Sequence, residues 1–224
     1  MPEPVARSVA MPPDAALVAR QALGMAPDAA LRIAFVAGPG DVVGTFDHWS
    51  QDAHDPRTPV IAYSAMFYTV VAALDAEALV VVEHAQQPAA PHSRFQFCHI
   101  PRVRNRGGIG YRIDARNYTN KVLRRLRDYK PDVVLIGTDA PDALIAGLPR
   151  AKRVILTAHN TYWPMGQRGT SLRTRVRLNM KMRALRRVHA VVNTSDECAA
   201  QVAALGGPAG TRSFTEIPQV LAAY

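Results

Sequence analysis

Short apolar runs recur along the sequence, and most of them are apolar from end to end rather than alternating with polar residues. They occupy residues 31–37, 78–83, 95–100, 132–137, 154–158, 190–195 and 214–218. Strands of this kind are typical of a parallel sheet whose two faces are both covered by helices. The recurrence therefore predicts an α/β fold built on a single doubly wound, mostly parallel sheet.

Segments with helical spacing of apolar residues separate most of these runs. Helices are expected at residues 14–25, 59–74, 114–129, 142–148, 171–187 and 196–205. Thr58 is suited to cap the second of them, since Pro59 follows at the first helical position. Polar loops are expected from the glycine turn at residue 38 to residue 56, and at residues 102–112. Residues 1–30, rich in Ala and Pro, are expected to form a mobile leader.

Polar residues collect where the predicted strands end. In a doubly wound sheet the carboxyl ends of neighbouring strands meet at one crevice, so these residues are expected to surround a common site. The candidates are Gly38, Gly40, Asp41, Asp139, His159, Asn160 and Ser195. The alternative is that strand ends are polar because loops are polar.

His159 is the strongest single candidate for a catalytic or contact residue. It follows Thr157 and Ala158 at the tip of a predicted strand, and Asn160 comes next. A histidine in that position is better placed to meet a ligand than to satisfy hydrogen bonds inside a core. The other six histidines have no comparable sequence context.

The glycine turn at residues 38–44 admits two interpretations. A glycine turn after a strand is typical of phosphate-binding loops. Its spacing is one residue longer than the dinucleotide fingerprint, and Glu83 lies over forty residues beyond Gly38, where about twenty is usual for the acidic residue that contacts a ribose. We therefore favour a turn that approaches a sugar or phosphate group, with an NAD-type cofactor enzyme as the alternative.

The net charge of +9 comes from one part of the chain. Eleven of the 27 Lys and Arg residues lie between Ala143 and Ser195, where Asp and Glu do not occur. A concentrated positive patch attracts phosphates on nucleic acid, on a membrane surface or on a small ligand. No aromatic platform or nucleic-acid motif accompanies the charge, so nucleic acid is not expected as a partner.

Two basic segments carry further candidates. The loop at residues 102–112 offers Arg102, Arg104 and Arg106 to an anionic acceptor, or is a solvated loop. The predicted helix at residues 171–187 has apolar residues along one side, and we expect Arg173, Arg177 and Lys181 to face an anionic membrane surface. An ordinary packed helix with a solvated basic face is the alternative for the second segment.

Cellular location is suggested by what the sequence lacks. No apolar run reaches the roughly 18–20 residues of a membrane-spanning helix, and the N-terminus lacks the pattern of a secretory signal. The two cysteines, Cys98 and Cys198, lack the spacing of a disulfide framework or a zinc site, so no metal is expected. We expect a cytoplasmic protein, with a peripheral position on the inner face of the membrane if the basic helix docks there.

Four features together resemble the N-terminal, Rossmann-like domain of a GT-B glycosyltransferase of family 4, over residues 31–219. They are the first strand with its glycine turn, Lys-Pro-Asp-Val-Val-Leu-Ile at 130–136, Thr-Ala-His-Asn at 157–160, and Ala-Val-Val-Asn-Thr-Ser-Asp-Glu at 190–197 followed by a helix, Gly206 and Glu-Ile-Pro at 216–218. Their order and spacing carry the resemblance. The separation of Gly38 from Gly40 departs from the adjacent pair of the family.

The resemblance implies transfer of a sugar from a nucleotide-sugar donor to a glycan or lipid-linked acceptor, with no further cofactor. It implies that this domain holds the acceptor, that His159 lies by the reacting sugar, that the turn of Gly38, Gly40 and Asp41 approaches the donor phosphates, and that the basic helix docks on membrane. It also implies a C-terminal donor domain, for which residues 220–224 would begin the linker. Full activity is then expected only with that domain or a partner chain. A non-catalytic module that docks on an anionic membrane or ligand is the alternative function.

Overall fold

The computed structural model describes residues 11–57, 62–103, 108–138, 141–164 and 171–215, apart from the side chains of Ile109 and Arg173. In these residues the elements follow the order α1 (Ala15–Ala22), β1 (Arg32–Val36), α2 (Val42–Ser50), α3 (Tyr63–Ala73), β2 (Glu77–Val82), β3 (Phe95–His99), α4 (Gly108–Tyr129), β4 (Val133–Ile136), α5 (Pro141–Gly147), β5 (Arg153–Ala158), α6 (Leu172–Leu185), β6 (Ala190–Asn193), α7 (Asp196–Ala204) and β7 (Ser213–Thr215). A 3-10 turn at Gly210–Arg212 precedes β7.

The seven strands form one parallel sheet in the order β3-β2-β1-β4-β5-β6-β7. The chain first builds outward from β1 to β3, then returns to the other side of β1 and builds outward again to β7. This reversal places the topological switch point between β1 and β4, where open α/β sheets bind their ligands. The prediction of a doubly wound, Rossmann-like α/β sheet is confirmed.

Helices cover both faces of the sheet, as continuous apolar strands require. One core joins the sheet to α4, α5, α6 and α7, and a separate core joins the opposite face to α2 and α3. The second core is rich in aromatic rings. Phe46, Tyr68 and Phe95 meet there with centroids 5.1–5.5 Å apart, and the Tyr68 hydroxyl donates to the Val42 carbonyl at 2.8 Å.

A helix occupies part of the region where the sequence favours a polar loop. Helix α2 begins at Val42, two residues after Gly40, because the Asp41 carboxylate caps it and Val43 and Phe46 anchor it in the core. The expectation of a loop up to residue 56 is therefore wrong for Val42–Ser50. Gly44, Asp47 and His48 are typical of loops. The segment is nevertheless helical, because burial of its apolar residues Val43 and Phe46 stabilises the helix.

The basic loop after β3 is also shorter than predicted. Helix α4 starts at Gly108, not near Asp114, so residues 108–112 belong to the helix. The helix face with Tyr118, Val122 and Leu126 packs in the core. Extending an existing helix by one turn costs less free energy than starting a new helix, so α4 can include Gly108 and Gly110 at its N-terminal end. The predicted cap at Thr58 and the helix start at Pro59 lie outside the described residues, and α3 is described from Tyr63.

The second half of the expected leader packs against the domain. Arg20 of α1 is 6% exposed. Its guanidinium donates hydrogen bonds to the carbonyls of Ala29, Leu74 and Asp75, at 2.8, 3.0 and 3.1 Å. These bonds tie α1 to the end of α3, a contact that the Ala- and Pro-rich composition does not indicate.

Candidate functional site

A cavity of about 830 Å³ opens at the carboxyl edge of the sheet, over the switch point between β1 and β4. Its size and position are those of a small-molecule site. The turn after β1, helix α3, the end of β4, the loop after β5 and one side of α6 form its walls. Gly38, Gly40, His159, Asn160, Arg177 and Lys181, all singled out from the sequence, line it.

The two glycines of the turn have different roles. A Cβ atom on Gly38 would lie 2.6 Å from the carbonyl oxygen of Gly137, so only glycine allows the ends of β1 and β4 to approach this closely. A Cβ atom on Gly40 would meet nothing within 4 Å. The Gly40 N–H donates to the Gly38 carbonyl at 3.0 Å. The turn therefore contributes space to the cavity at Gly40 and close strand packing at Gly38.

Asp41 does not line the cavity. It accepts a hydrogen bond from Gly44 N–H at 2.8 Å and pairs with Arg57, which also binds Asp55. Burial acts to raise the pKa of Asp41, but the bonds from Arg57 and Gly44 outweigh it, and the pKa lies below its usual value. The positive N-terminal end of α2 is thus neutralised by the protein's own carboxylate. The approach of Asp41 to donor phosphates, which the resemblance implies, stays a prediction.

His159 leaves β5 at the wall of the cavity. Its ring stands edge-on to Tyr63 with the centroids 5.3 Å apart, and the Thr194 hydroxyl donates to its carbonyl at 3.3 Å. His159 is exposed as a residue, yet partial burial of the imidazole lowers its pKa. The ring is therefore neutral at pH 7 and has a nitrogen lone pair that can accept a proton or a hydrogen bond.

Gln201, which the sequence did not single out, holds the loop that follows His159. Its Oε1 accepts from the N–H groups of Tyr162 and Trp163 at 2.7 and 3.1 Å. Its Nε2 donates to the Trp163 carbonyl at 3.0 Å and to the Glu197 carboxylate at 2.7 Å. The residue is 2% exposed. A glutamine on the apolar face of the helix after β6 is the one sequence signal that points to it.

The basic helix α6 turns part of its charge toward the cavity. Arg177 and Lys181 line the cavity wall. Lys181 donates to Asp142 at 3.0 Å and lies 5.1 Å from the centre of the Tyr162 ring, whereas Arg177 has no polar partner among the described residues. The Arg173 side chain lies outside the described residues. On another side of the helix, Leu172, Val176 and Met180 are 77%, 53% and 61% exposed and form an apolar stripe.

Of the remaining candidates, the described ones, Arg102 and Ser195, do not line the cavity. The Arg102 side chain is 3% exposed and forms a buried pair with Glu83 at 3.3 Å, and it also donates to the Thr138 hydroxyl. Ser195 caps α7 by accepting from Cys198 N–H at 3.2 Å. Asp139, Arg104 and Arg106 lie outside the described residues. Glu83, the acidic residue considered for contact with a ribose, is thus engaged by Arg102.

The described part of the chain has neither a metal-binding cluster nor a membrane-spanning helix. It contains no group of three or more His, Cys, Asp or Glu side chains suited to hold a metal ion. Cys98 and Cys198 are free thiols. None of its helices is long and apolar enough to cross a membrane.

The sequence model of Glycosyltransferase Family 4 matches residues 64–212. The match runs from the first turn of α3 to the end of the 3-10 turn and includes His159, Gln201 and the whole of α6. The turn of Gly38 and Gly40 precedes it. No curated protein matches the chain.

Alanine substitutions at Gly38 and Gly40 are expected to differ in their effect on stability. Gly38→Ala pushes a methyl group against the Gly137 backbone, and overpacking of this kind costs about 1–3 kcal/mol. Gly40→Ala places its methyl group in open space, and the free energy of unfolding is expected to change by less than about 0.5 kcal/mol. Urea denaturation of both variants checks this. Equal stability of the two would contradict the assigned packing.

The pKa of His159 is expected to lie below the usual value of about 6.5. Because the unfolded chain binds a proton more readily than the folded one, the contribution of His159 to stability is complete above about pH 6.5 and is lost as the pH falls through its folded pKa. Titration followed by NMR measures this pKa. Tyr63→Ala uncovers the ring and is expected to raise it, whereas Tyr111→Ala, at an exposed site, is not. An unchanged pKa in Tyr63→Ala would argue against burial as the cause.

Proposed function

The chain belongs to Glycosyltransferase Family 4, and on this premise we propose that its cavity binds the acceptor in the transfer of a sugar from a nucleotide-sugar. In such a transfer the bond between the sugar and the donor phosphate breaks, and a bond to an acceptor hydroxyl forms. The proton of that hydroxyl leaves, and the nucleotide departs as its diphosphate. The protein must therefore hold a sugar beside groups that accept hydrogen bonds and protons.

The observation that carries this proposal is the position of His159. Its imidazole lies at the wall of a cavity above the switch point and is kept neutral by burial. A neutral imidazole accepts a hydrogen bond from a sugar hydroxyl, which an imidazolium cannot do. Asn160 beside it adds an amide that both donates and accepts. We assign His159 to contact with the reacting sugar and Asn160 to the acceptor.

The walls of the cavity suit the body of a sugar or a lipid-linked glycan. Helix α3 contributes Met66, Phe67 and Val70, and the sheet contributes Leu135 and Leu156. Apolar faces of sugar rings pack on such surfaces, while the polar groups sit at the rim. The donor nucleotide is assigned to a second α/β domain, as the resemblance implies, in the same polypeptide or on a partner chain.

A specific observation favours membrane docking as a second function. Leu172, Val176 and Met180 are exposed at intervals of four residues on α6, and Arg175 and Arg183 on the same helix are also exposed. A helix that exposes an apolar stripe beside arginines fits the interface of an anionic membrane. Docking through this stripe brings the cavity close to lipid-linked acceptors.

Sugar transfer is expected to depend on His159. The purified chain, with its donor domain supplied on a longer polypeptide or as a separate chain, is incubated with labelled nucleotide-sugars and with glycan and polyprenyl-phosphate acceptors. His159→Ala is expected to lower product formation by about 100-fold or more, and His84→Ala, at an exposed histidine outside the cavity, is expected to leave it unchanged. No transfer across the panel, or an active His159→Ala variant, would refute the proposal.

Membrane docking is expected to depend on the exposed stripe of α6. The double substitution Val176→Ser and Met180→Ser removes two side chains whose burial contributes about 1.5–3 kcal/mol each, so co-sedimentation with phosphatidylcholine–phosphatidylglycerol vesicles is expected to fall at least tenfold. Val18→Ser, at a residue of α1 that is 50% exposed, is the matched control. Equal losses in both variants, or none, would count against docking through α6.

A further inference from the structure

We propose that the acceptor carries an anionic group, a phosphate or a carboxylate, and that Arg177 binds it. This inference rests on the proposed function of the same cavity and specifies its substrate class. The structure assigns to Arg177 a role different from the membrane contact that the sequence suggests, because its side chain lines the cavity wall.

The charge around the cavity is unbalanced. Among the described residues that line it there are two permanent cations, Arg177 and Lys181, and no Asp or Glu. The imbalance has a simple origin in the sequence, since Asp and Glu do not occur between Ala143 and Ser195. That interval contains the loop after β5 and all of α6, which together form one side of the cavity.

The two cations are not equivalent. Lys181 is half-buried, donates to Asp142 at 3.0 Å and lies over the Tyr162 ring, so its charge is compensated within the protein. Arg177 lies one turn away on the same helix and has no such partner in the part of the chain that the structure describes. Within that part, Arg177 is therefore the uncompensated charge at the cavity wall.

An arginine at the cavity wall can recognise the shape of an anionic group as well as attract its charge. Its planar guanidinium matches two oxygens of a phosphate or carboxylate and binds them with paired charge-assisted hydrogen bonds. A neutral sugar offers no group that needs this geometry. The other ready anion site near the cavity, the N-terminal end of α2, is filled by Asp41 and Arg57. The anion of a ligand is thus directed to the α6 side of the cavity.

Binding of paired sugars to the full chain tests this inference. Glucose 6-phosphate and glucuronate are each compared with glucose, by calorimetry and by NMR shifts at Gly40 and His159. We expect both anionic sugars to bind at least about tenfold more tightly than glucose, and Arg177→Gln to abolish that difference. Arg186→Gln, at an exposed arginine beyond the end of the same helix, is expected to preserve it.

Each other outcome overturns the inference in a distinguishable way. Equal binding of charged and neutral sugars, or an anionic preference that survives Arg177→Gln, refutes it and leaves the proposed function intact. Binding of no sugar at all refutes both. If Arg177→Gln weakens only uridine diphosphate, the residue serves the donor. If it weakens only binding to phosphatidylcholine–phosphatidate vesicles, Arg177 contacts lipid headgroups and the inference is wrong.

Discussion

The parallel pairing of β1 with β4 is the contact on which the rest of the structure depends. The chain leaves β1 in one direction to reach β3 and later returns to β1 from the other side, so this pair joins the two halves of the sheet. Immediately beyond the pair, the Gly38 and Gly137 backbones are too close to admit a Cβ atom on Gly38. Helices on opposite faces diverge from this point, and the cavity is the space that their divergence leaves open.

Polar side chains outside the cavity hold the loop that begins with His159. Gln201 uses both ends of its amide to hold the loop that begins with His159, and buried amides with all partners supplied make a local conformation rigid. Thr194 holds the start of the same loop through the Ala158 and His159 carbonyls. The walls of the cavity are thus parts of the hydrogen-bonded scaffold of β6 and α7.

The features that the sequence predicted well are those encoded by neighbouring residues. The strands follow from continuous apolar runs, and His159 follows from its position at the end of one of them. Helix α2 was missed because Phe46, which anchors it in the core, packs against aromatic rings that are distant in the sequence. The ion pairs of Arg102 and Lys181 could not be predicted from the sequence either, because their partners Glu83 and Asp142 lie 19 and 39 residues away along the chain. The site assignments themselves stay predictions.

The N-terminal end of α2 is capped by the carboxylate of Asp41, and this affects which groups of the protein can determine ligand specificity. Where a helix end binds an anion, recognition is carried by backbone atoms that no substitution can remove without disturbing the main chain. Here Asp41 and Arg57 occupy that end, and among the described residues that line the cavity the uncompensated charge is that of Arg177, an exposed side chain of α6. Changing that side chain leaves the scaffold intact. The charge preference that we propose for the cavity is thereby uncoupled from the folding of the domain, so a single substitution on α6 is expected to change it without unfolding the protein.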